Sequence, residues 1–236
     1  ELADSQKAIY LAQLKQMRER VLASTEEELN RSKMEILSGL MRLRQICDTP
    51  ALFMEDYHGE SGKLESLLEL LEQIQTGNHR VLIFSQFRGM LDIIEKELKK
   101  MKIETFKITG STPAKERQEM TNAFNNGEGD AFLISLKAGG VGLNLTGADT
   151  VILVDLWWNP AVESQAIGRA HRMGQERNVE VYRLITRGTI EEKIQELQES
   201  KRHLVSTILD GTESRSSLTV AEIREILGIS PETLEK

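Results

Sequence analysis

Cysteine is almost absent from this 236-residue chain, where Cys47 is the only one. A single thiol cannot form an intramolecular disulfide, and with only four scattered histidines the chain cannot build a zinc cluster. Such sparse cysteine is typical of a reducing compartment. A chain of this length buries well over half of its unfolded surface, so its fold needs no disulfide.

Long apolar runs are also missing. No segment approaches the ~18 apolar residues that span a bilayer, and the N terminus carries no signal peptide. We therefore expect a soluble protein with no membrane partner, cytoplasmic or nucleoid-associated in a bacterium and nuclear in a eukaryote. Because the first residue is Glu1 rather than Met, we expect a piece of a longer polypeptide.

Positive charge is in deficit, since 30 Lys and Arg face 37 Asp and Glu for a net charge of -7. This balance argues against a protein that is wrapped in nucleic acid by bulk charge. Only the middle of the chain, residues 76–189, carries more basic than acidic side chains, 15 against 13. A site for a polyanion is therefore expected in that segment, as a local patch.

Several catalytic motifs do not occur. The chain has no phosphate-binding loop of the form G-x-x-x-x-G-K-[ST], and Leu145 stands where a dinucleotide fingerprint would need its third glycine. Neither a Gly-x-Ser-x-Gly elbow nor a His-Glu-x-x-His motif is present. These absences exclude a self-contained nucleotide site, a serine hydrolase and a zinc protease, and we predict no metal site.

The hydrophobic pattern predicts helices followed by an alternation of strands and helices. Residues 1–48 have helical apolar spacing, 49–61 form a loop, and a helix follows to about Gln75. Strands are then predicted at 80–84, 104–109, 131–135, 150–155 and 179–186, and helices at 88–101, 113–126, 160–171 and 189–208. This alternation predicts an α/β fold with a parallel sheet covered by helices on both faces. A linker and a short helix are predicted in 211–236.

Polar or glycine residues follow four of the predicted strands, where ligands of such sheets bind. They are Ser85–Gln86, Thr109–Ser111, Ser135–Lys137 and Asp155–Asn159. Turn formation alone accounts for about half of such a set. Trp157 and Trp158 adjoin at one of these ends, and one of them is expected in the core while the other stacks on a base or lines a groove.

A glycine-rich stretch at 135–146 contains glycine at 139, 140 and 142 beside Lys137. Backbone N–H groups of such a stretch can approach a phosphate closely, although a simple turn between a strand and a helix explains it equally well.

Gln165, Arg169 and Arg172 lie at i, i+4 and i+7 and share one face of the predicted helix. Two guanidinium groups one turn apart suit a phosphate chain. The alternative is a solvated face that forms surface ion pairs.

Together these motifs resemble the C-terminal motor lobe of superfamily-two helicases, specifically the Swi/Snf-type DNA-translocating ATPases. The resemblance covers roughly residues 61–210. The matching segments are Ser61–Leu64, Val81–Phe87, Gly110–Ser111 with Arg117 and Phe124, Lys137–Leu145, Asp155–Pro160, Gln165–Gln175 and Gly188–Ile194. It implies a RecA-like lobe at 61–189, preceded by a helical extension at 1–60 and followed by a closing helix at 190–210.

The resemblance also implies roles for single residues. Arg169 and Arg172 would be arginine fingers that reach the γ-phosphate of ATP, with Gln165 orienting the same network and Gly142 lying near the nucleotide. The residues that would face the DNA backbone are Ser85, Gly110, Ser111, Ser135, Lys137 and Ala138. Trp158 matches the position that grips a DNA strand.

The lobe that would carry the phosphate-binding loop is absent from this sequence. The implied partners are double-stranded DNA and an N-terminal RecA-like lobe of the same parent chain, through which ATP and magnesium would mainly be bound. We expect a monomer that neither hydrolyses ATP nor translocates as this piece alone. Two alternatives stay open: a degenerate lobe that serves as a protein-interaction scaffold, and half of an RNA helicase.

Overall fold

The computed structural model describes residues 1–136, 142–155, 160–171, 178–207 and 218–230. The chain divides into two compact units, one made of Glu1–Gly62 with Thr186–Lys236 and the other of Lys63–Ile185. The helices are α1 (Asp4–Ala23), α2 (Glu26–Arg31), α3 (Lys33–Asp48), α4 (Gly62–Thr76), α5 (Arg88–Lys100), α6 (Ala114–Asn125), α7 (Pro160–Ile167), α8 (Ile190–Thr207) and α9 (Val220–Ile226). The strands are β1 (Val81–Ser85), β2 (Thr105–Ile108), β3 (Ala131–Ser135), β4 (Thr150–Leu153) and β5 (Glu180–Arg183).

In the second unit the strands form one sheet in the order β2-β3-β1-β4-β5. Every pair in it is parallel, so the predicted α/β architecture is confirmed. The residues of β1, β3 and β4 are all buried, as expected for strands with helices on both faces. We call the strand starts at Val81, Thr105, Ala131 and Thr150 the amino rim. The strand ends at Ser85, Ile108, Ser135 and Leu153 are the carboxyl rim.

Aromatic side chains fill one side of this sheet. The rings of Phe124 from α6 and Phe132 from β3 meet edge to face with centroids 5.2 Å apart. Phe106 of β2 lies 5.7 Å from Phe132. The edge-to-face contact of Phe124 with Phe132 stabilises the core beyond the area it buries, by about 0.5–1.5 kcal/mol.

At the amino rim, Arg80 connects two turns to the start of β1 through hydrogen bonds. Its guanidinium donates to the carbonyls of Gly129 and Gly147 at 2.8–3.0 Å and lies 3.9 Å from the centroid of the Phe124 ring. Burial lowers the pKa of Arg80. The buried carboxylate of Asp149, just before β4, accepts from the backbone N–H of Arg80 at 3.2 Å.

In the first unit, α1 and α3 pack closely. A Cβ on Gly39 would lie 2.1 Å from the sulfur of Met17, so a larger residue there would force the flexible Met17 side chain to move. The buried amide of Gln6 donates to the carbonyls of Ile46 and Cys47 at 2.7 and 3.2 Å. Cys47 itself is buried.

The start of α8 is held by α1 within the same unit. The hydroxyl of Tyr10 accepts from the backbone N–H of Ile190 at 2.8 Å. That N–H belongs to the first turn of α8 and has no partner inside its own helix. Burial raises the pKa of the Tyr10 phenol well above its usual value.

The helical pattern predicted over 1–48 is divided into α1, α2 and α3. The division occurs because Thr25 starts a new helix: its hydroxyl accepts from the N–H of Glu28, whose carboxylate accepts from the N–H of Thr25 in return. This reciprocal cap favours a helix start over continuation. Among the described residues, no helix combines the length and the apolar character needed to cross a membrane.

Candidate functional site

The carboxyl rim brings together several of the residues that the sequence singles out. Because all strands run in parallel, their carboxyl ends lie on the same side of the sheet, and Ser85 of β1 is directly paired with Ser135 of β3. Gly110 and Ser111 follow the end of β2, which neighbours β3. The four predicted residues therefore lie at the ends of three adjacent strands.

The loop after β2 is exposed but held in one conformation. Gly110 and Ser111 are exposed, and a Cβ on Gly110 would meet no atom within 4 Å. Arg117 of α6 donates to the carbonyls of Thr112 and Gly110 at 2.7 and 3.2 Å. The hydroxyls of Thr109 and Ser111 lie 3.0 Å apart. A fixed loop with open space above its glycine can approach a phosphodiester closely.

Ser85 has a different environment from its neighbours on the rim. It is fully buried, and its hydroxyl donates to the carboxylate of Asp155 at 2.5 Å. The same hydroxyl accepts from the N–H of Phe87 at 3.1 Å. Ser135 is also buried. The Ser85 side chain therefore faces the protein interior.

Gly142 lies in a segment whose other residues are anchored. Its φ of 26° is in the left-handed region, and the space above its Cα is open. Leu143 and Leu145 are buried in the core. The amide of Asn125 donates to the carbonyl of Asn144 at 2.7 Å. The exposed Gly142 is thus followed by three residues that are buried or hydrogen-bonded.

Arg169 lies beside this segment. The backbone carbonyl of Arg169 accepts from the N–H of Leu145 at 2.9 Å. Arg169 as a whole is only 5% exposed. The predicted helix over 160–171 ends at Ile167, and Gly168, Arg169 and Ala170 follow in hydrogen-bonded turns. Glycine at position 168 favours such an ending because it gives the backbone freedom and stabilises a helix less than other residues.

Helix α7 presents Gln165 on its exposed side, while Ala166 is buried in the core. Glu163 on the same helix is buried, and its carboxylate accepts from Arg183 of β5 at 3.2 Å. This ion pair fixes α7 against the edge strand of the sheet. Gln165 is therefore exposed and Arg169 mostly buried, although both were predicted on one helical face.

Four predicted site residues, Lys137, Ala138, Trp158 and Arg172, lie outside the described residues. The others form two groups. The first lies at the carboxyl rim with Ser85, Gly110, Ser111 and Ser135. The second joins Gly142 to Arg169 through Leu145, with Gln165 on the adjoining helix.

Two residues of the site have contacts that their positions in the sequence do not indicate. Asp155, which the sequence places after a predicted strand and inside a matching segment, accepts hydrogen bonds from both Ser85 and Gln86. Lys63 is buried, and its ammonium donates to the carbonyl of Val154 at 2.9 Å. Their partners lie 70 and 91 residues away, so local patterns could not reveal them.

The part of the chain that the structure describes holds no group of three His, Cys, Asp or Glu side chains that could bind a metal ion. The groups near Gly142 and Arg169 are a guanidinium, an amide and backbone. Such groups suit a phosphate oxygen better than a cation.

The sheet is parallel and five-stranded and has helices on its faces. The turn that contains Arg169, here called the arginine turn, is hydrogen-bonded to the segment that begins at Gly142, the glycine segment. Together these features define a RecA-like helicase lobe. Residues 62–174 match the family described as the helicase conserved C-terminal domain. The SWI2/SNF2 ATPase C-terminal domain of Sulfolobus solfataricus superposes with a TM-score of 0.74 at 34% identity, covering 97% of this chain and 95% of that one. The chain therefore belongs to the SWI2/SNF2 ATPase family, as a C-terminal lobe.

Two further comparisons agree with this assignment. The Sulfolobus solfataricus SWI2/SNF2 ATPase core in complex with double-stranded DNA superposes with a TM-score of 0.76 at 33% identity, covering 100% of this chain and 47% of that one. YwqA of Bacillus subtilis, named as an ATP-dependent helicase/translocase, is 44% identical over 201 residues, which are 83% of this chain and 22% of YwqA. The chain thus spans about a fifth of the length of this relative.

Proposed function

We propose that the chain is the C-terminal half of an ATP-driven motor that moves along double-stranded DNA. Its family membership supports the ATPase, because the related proteins are ATPases or are named ATP-dependent translocases. The related core bound to double-stranded DNA supports the choice of polymer. The whole motor needs an N-terminal lobe of the same parent chain, which supplies the phosphate-binding loop that this sequence lacks.

The nucleotide side of the lobe is the group around Gly142, Gln165 and Arg169. The observation that carries the proposal is the hydrogen bond between the carbonyl of Arg169 and the N–H of Leu145, which holds the arginine turn against the glycine segment. Arg169 and Arg172 act as arginine fingers on the γ-phosphate, and Gln165 orients them. Because Arg169 is mostly buried in the lobe alone, its side chain reorients when the two lobes close.

The DNA side is the carboxyl rim together with Lys137, Ala138 and Trp158. The exposed loop at Gly110 and Ser111 offers backbone and hydroxyl groups to phosphates, and such contacts position a protein without reading sequence. Ser85 and Ser135 are buried, and we assign them to shaping the rim rather than to touching DNA through their side chains.

In the two-lobe motor, ATP would bind in the cleft between the lobes, and the N-terminal lobe would hold the magnesium. When bound, magnesium neutralises phosphate charge during transfer. The residues of this chain supply only the trans-acting groups. We therefore expect this lobe alone to be inactive in ATP hydrolysis.

The experiment is the steady-state ATPase rate of the two-lobe protein with no nucleic acid, duplex DNA, duplex RNA or single-stranded DNA. The proposal predicts strong stimulation by duplex DNA and weak stimulation by the other polymers. Equal stimulation by duplex RNA would make the chain half of an RNA helicase. No turnover with any polymer would favour a protein-interaction scaffold. This lobe by itself, at the same concentrations, is the negative control.

A further inference from the structure

Asp155 lies two residues beyond the end of β4 and is almost fully buried, at 2% exposure. Both of its carboxylate oxygens are used by the neighbouring strand end. One accepts from the hydroxyl of Ser85 at 2.5 Å and the other from the backbone N–H of Gln86 at 2.8 Å. A carboxylate that accepts two hydrogen bonds in the interior holds its partners more firmly than a neutral side chain would.

These bonds fix the turn that leads from β1 into α5. Ser85, besides donating to Asp155, accepts from the N–H of Phe87. The carbonyl of Phe87 in turn accepts from the N–H groups of Met90 and Leu91 in the first turn of α5. The position of the first residues of α5 therefore depends on the Asp155 carboxylate.

The same strand end is held from a second side by Lys63. This buried side chain, in the first turn of α4, donates to the carbonyl of Val154, the residue that precedes Asp155. Burying a lysine is costly unless its ammonium is hydrogen-bonded. This hydrogen bond keeps the backbone of Val154 in position, and with it the adjoining backbone of Asp155.

The turn that these residues hold ends in an exposed basic segment. Arg88 and Gly89, the first two residues of α5, are exposed at the carboxyl rim. Their N–H groups belong to a helix start, and the Arg88 guanidinium adds a charge that pairs with phosphate. Fixing this segment in advance reduces the entropy that is lost when it binds a phosphodiester.

We propose that Asp155, acting through Ser85, is a positioning residue that orients the Gln86–Gly89 turn for contact with the DNA backbone, with Lys63 supporting it. This inference rests on the proposed function. It changes the role of Ser85 from a DNA contact to a link in the support of that turn. Asp155 does not touch the nucleotide or the reacting atoms, so it affects the binding of DNA rather than the chemical step.

The chain offers a matched control for this proposal. Asp149 precedes β4 as Asp155 follows it, and its carboxylate accepts from the backbone N–H of Arg80, just before β1. Both aspartates are buried and both hold β1 to β4, one at each rim. Loss of Asp149 thus removes a comparable support from the same two strands, at the rim that carries no proposed DNA contact.

The test compares Asp155→Ala, Asp155→Asn and Asp149→Ala in the two-lobe protein. We expect Asp155→Ala to raise the duplex DNA concentration for half-maximal ATPase stimulation about tenfold, with the rate at saturating DNA within about twofold, because a charge-assisted support is lost. Asp155→Asn keeps one acceptor for Gln86 and restores most of the affinity. Asp149→Ala lowers the melting temperature but leaves the half-saturating DNA concentration unchanged.

Equal effects of Asp155→Ala and Asp149→Ala on DNA half-saturation would overturn the proposal, since Asp155 would then be a general stabilising residue. Hydrogen–deuterium exchange of the chain separates this failure from failure of the proposed function, because it needs no activity. Faster exchange at residues 86–89 is expected in Asp155→Ala and not in Asp149→Ala. Unchanged exchange there would also overturn the positioning role. If the two variants show this exchange pattern but duplex DNA does not stimulate the wild-type ATPase, the proposed function is wrong instead.

Discussion

The backbone carbonyl of Arg169 accepts a hydrogen bond of 2.9 Å from the backbone N–H of Leu145. This bond joins the turn after α7 to the segment that begins at Gly142. The bond therefore couples the position of the turn to the position of the segment. In the two-lobe motor, this connection places the proposed arginine finger and the proposed nucleotide-contacting glycine on one structural element.

Gly142→Ala tests the nucleotide side of the lobe. The open space above Gly142 accepts a methyl group, but its φ of 26° does not suit alanine, so we expect a loss of about 1 kcal/mol in the free energy of unfolding. We also expect the KM for ATP to rise ~fivefold, which corresponds to about 1 kcal/mol of binding. Steady-state kinetics and urea unfolding measure the two effects.

The matched control is Gly127→Ala. Gly127 also has a left-handed φ, 99°, and open space, but it lies in the turn after α6 at the amino rim. This variant is expected to lose similar stability and to keep the wild-type KM for ATP. A KM that rises equally in both variants would show that strain in the lobe, rather than contact with the nucleotide, determines ATP binding.

Lys137→Ala tests the expectation that this side chain contacts the DNA backbone. Removing one phosphate contact reduces the slope of log affinity against log salt concentration by about one unit. The loss of affinity is expected to be the same for all duplex sequences. Fluorescence anisotropy at several salt concentrations with two unrelated duplexes measures both properties. A loss confined to one duplex would mean that Lys137 contacts bases.

The buried Tyr10 predicts a loss of stability at alkaline pH. Its pKa is raised in the folded state, whereas the unfolded phenol titrates near ~10. The unfolded state therefore releases its proton first, and the stabilising contribution, complete below about pH 10, is lost as the pH rises above that value. The maximum slope for one group is about 1.4 kcal/mol per pH unit.

Tyr10→Phe removes this slope. It also removes the acceptor for the Ile190 N–H, so we expect the variant to be less stable by about 1 kcal/mol at neutral pH. Between about pH 10 and pH 11, its free energy of unfolding should fall less than that of wild type. Urea unfolding across that range gives the comparison. Tyr57→Phe, which removes a hydroxyl bonded to the carbonyl of Glu60, is the control and should retain the wild-type slope. Parallel curves for wild type and Tyr10→Phe would contradict the prediction.

The centre of the sheet was predictable from the sequence because β1 and β3 contain short apolar runs, at residues 81–84 and 131–134, that are each followed by a serine. Parallel pairing follows from the helices between the strands. The capping pair of Thr25 and Glu28 was a readable signal that explains why the helical extension divides there. The early end of α7 was less predictable, since Gly168 is followed by residues that suit a helix.

The residues of the site remain predictions, and the sequence does not indicate how their side chains are oriented. Serine at the end of a strand is equally compatible with a hydroxyl that faces solvent and one that faces the core. The burial of Ser85 is determined by Asp155, and the position of Val154 by Lys63, through contacts across 70 and 91 residues. Such contacts depend on the packing of the whole unit, which no local pattern contains.

The most direct test of the account is the DNA-stimulated ATPase rate of the two-lobe protein with Arg169 replaced by Ala or Lys. We expect a loss of ~10³ or more in Arg169→Ala, because an arginine finger contributes on this scale. Arg169→Lys should be impaired nearly as much, since lysine cannot bind two phosphate oxygens through a planar fork. Lys115→Ala, which removes an exposed charge from α6, is the control and should match wild type.

Duplex DNA affinity, measured on the same preparations, should stay within a few-fold of wild type in both Arg169 variants. That result would establish a motor lobe that acts on ATP held by its partner lobe. Wild-type turnover in Arg169→Ala would contradict the account.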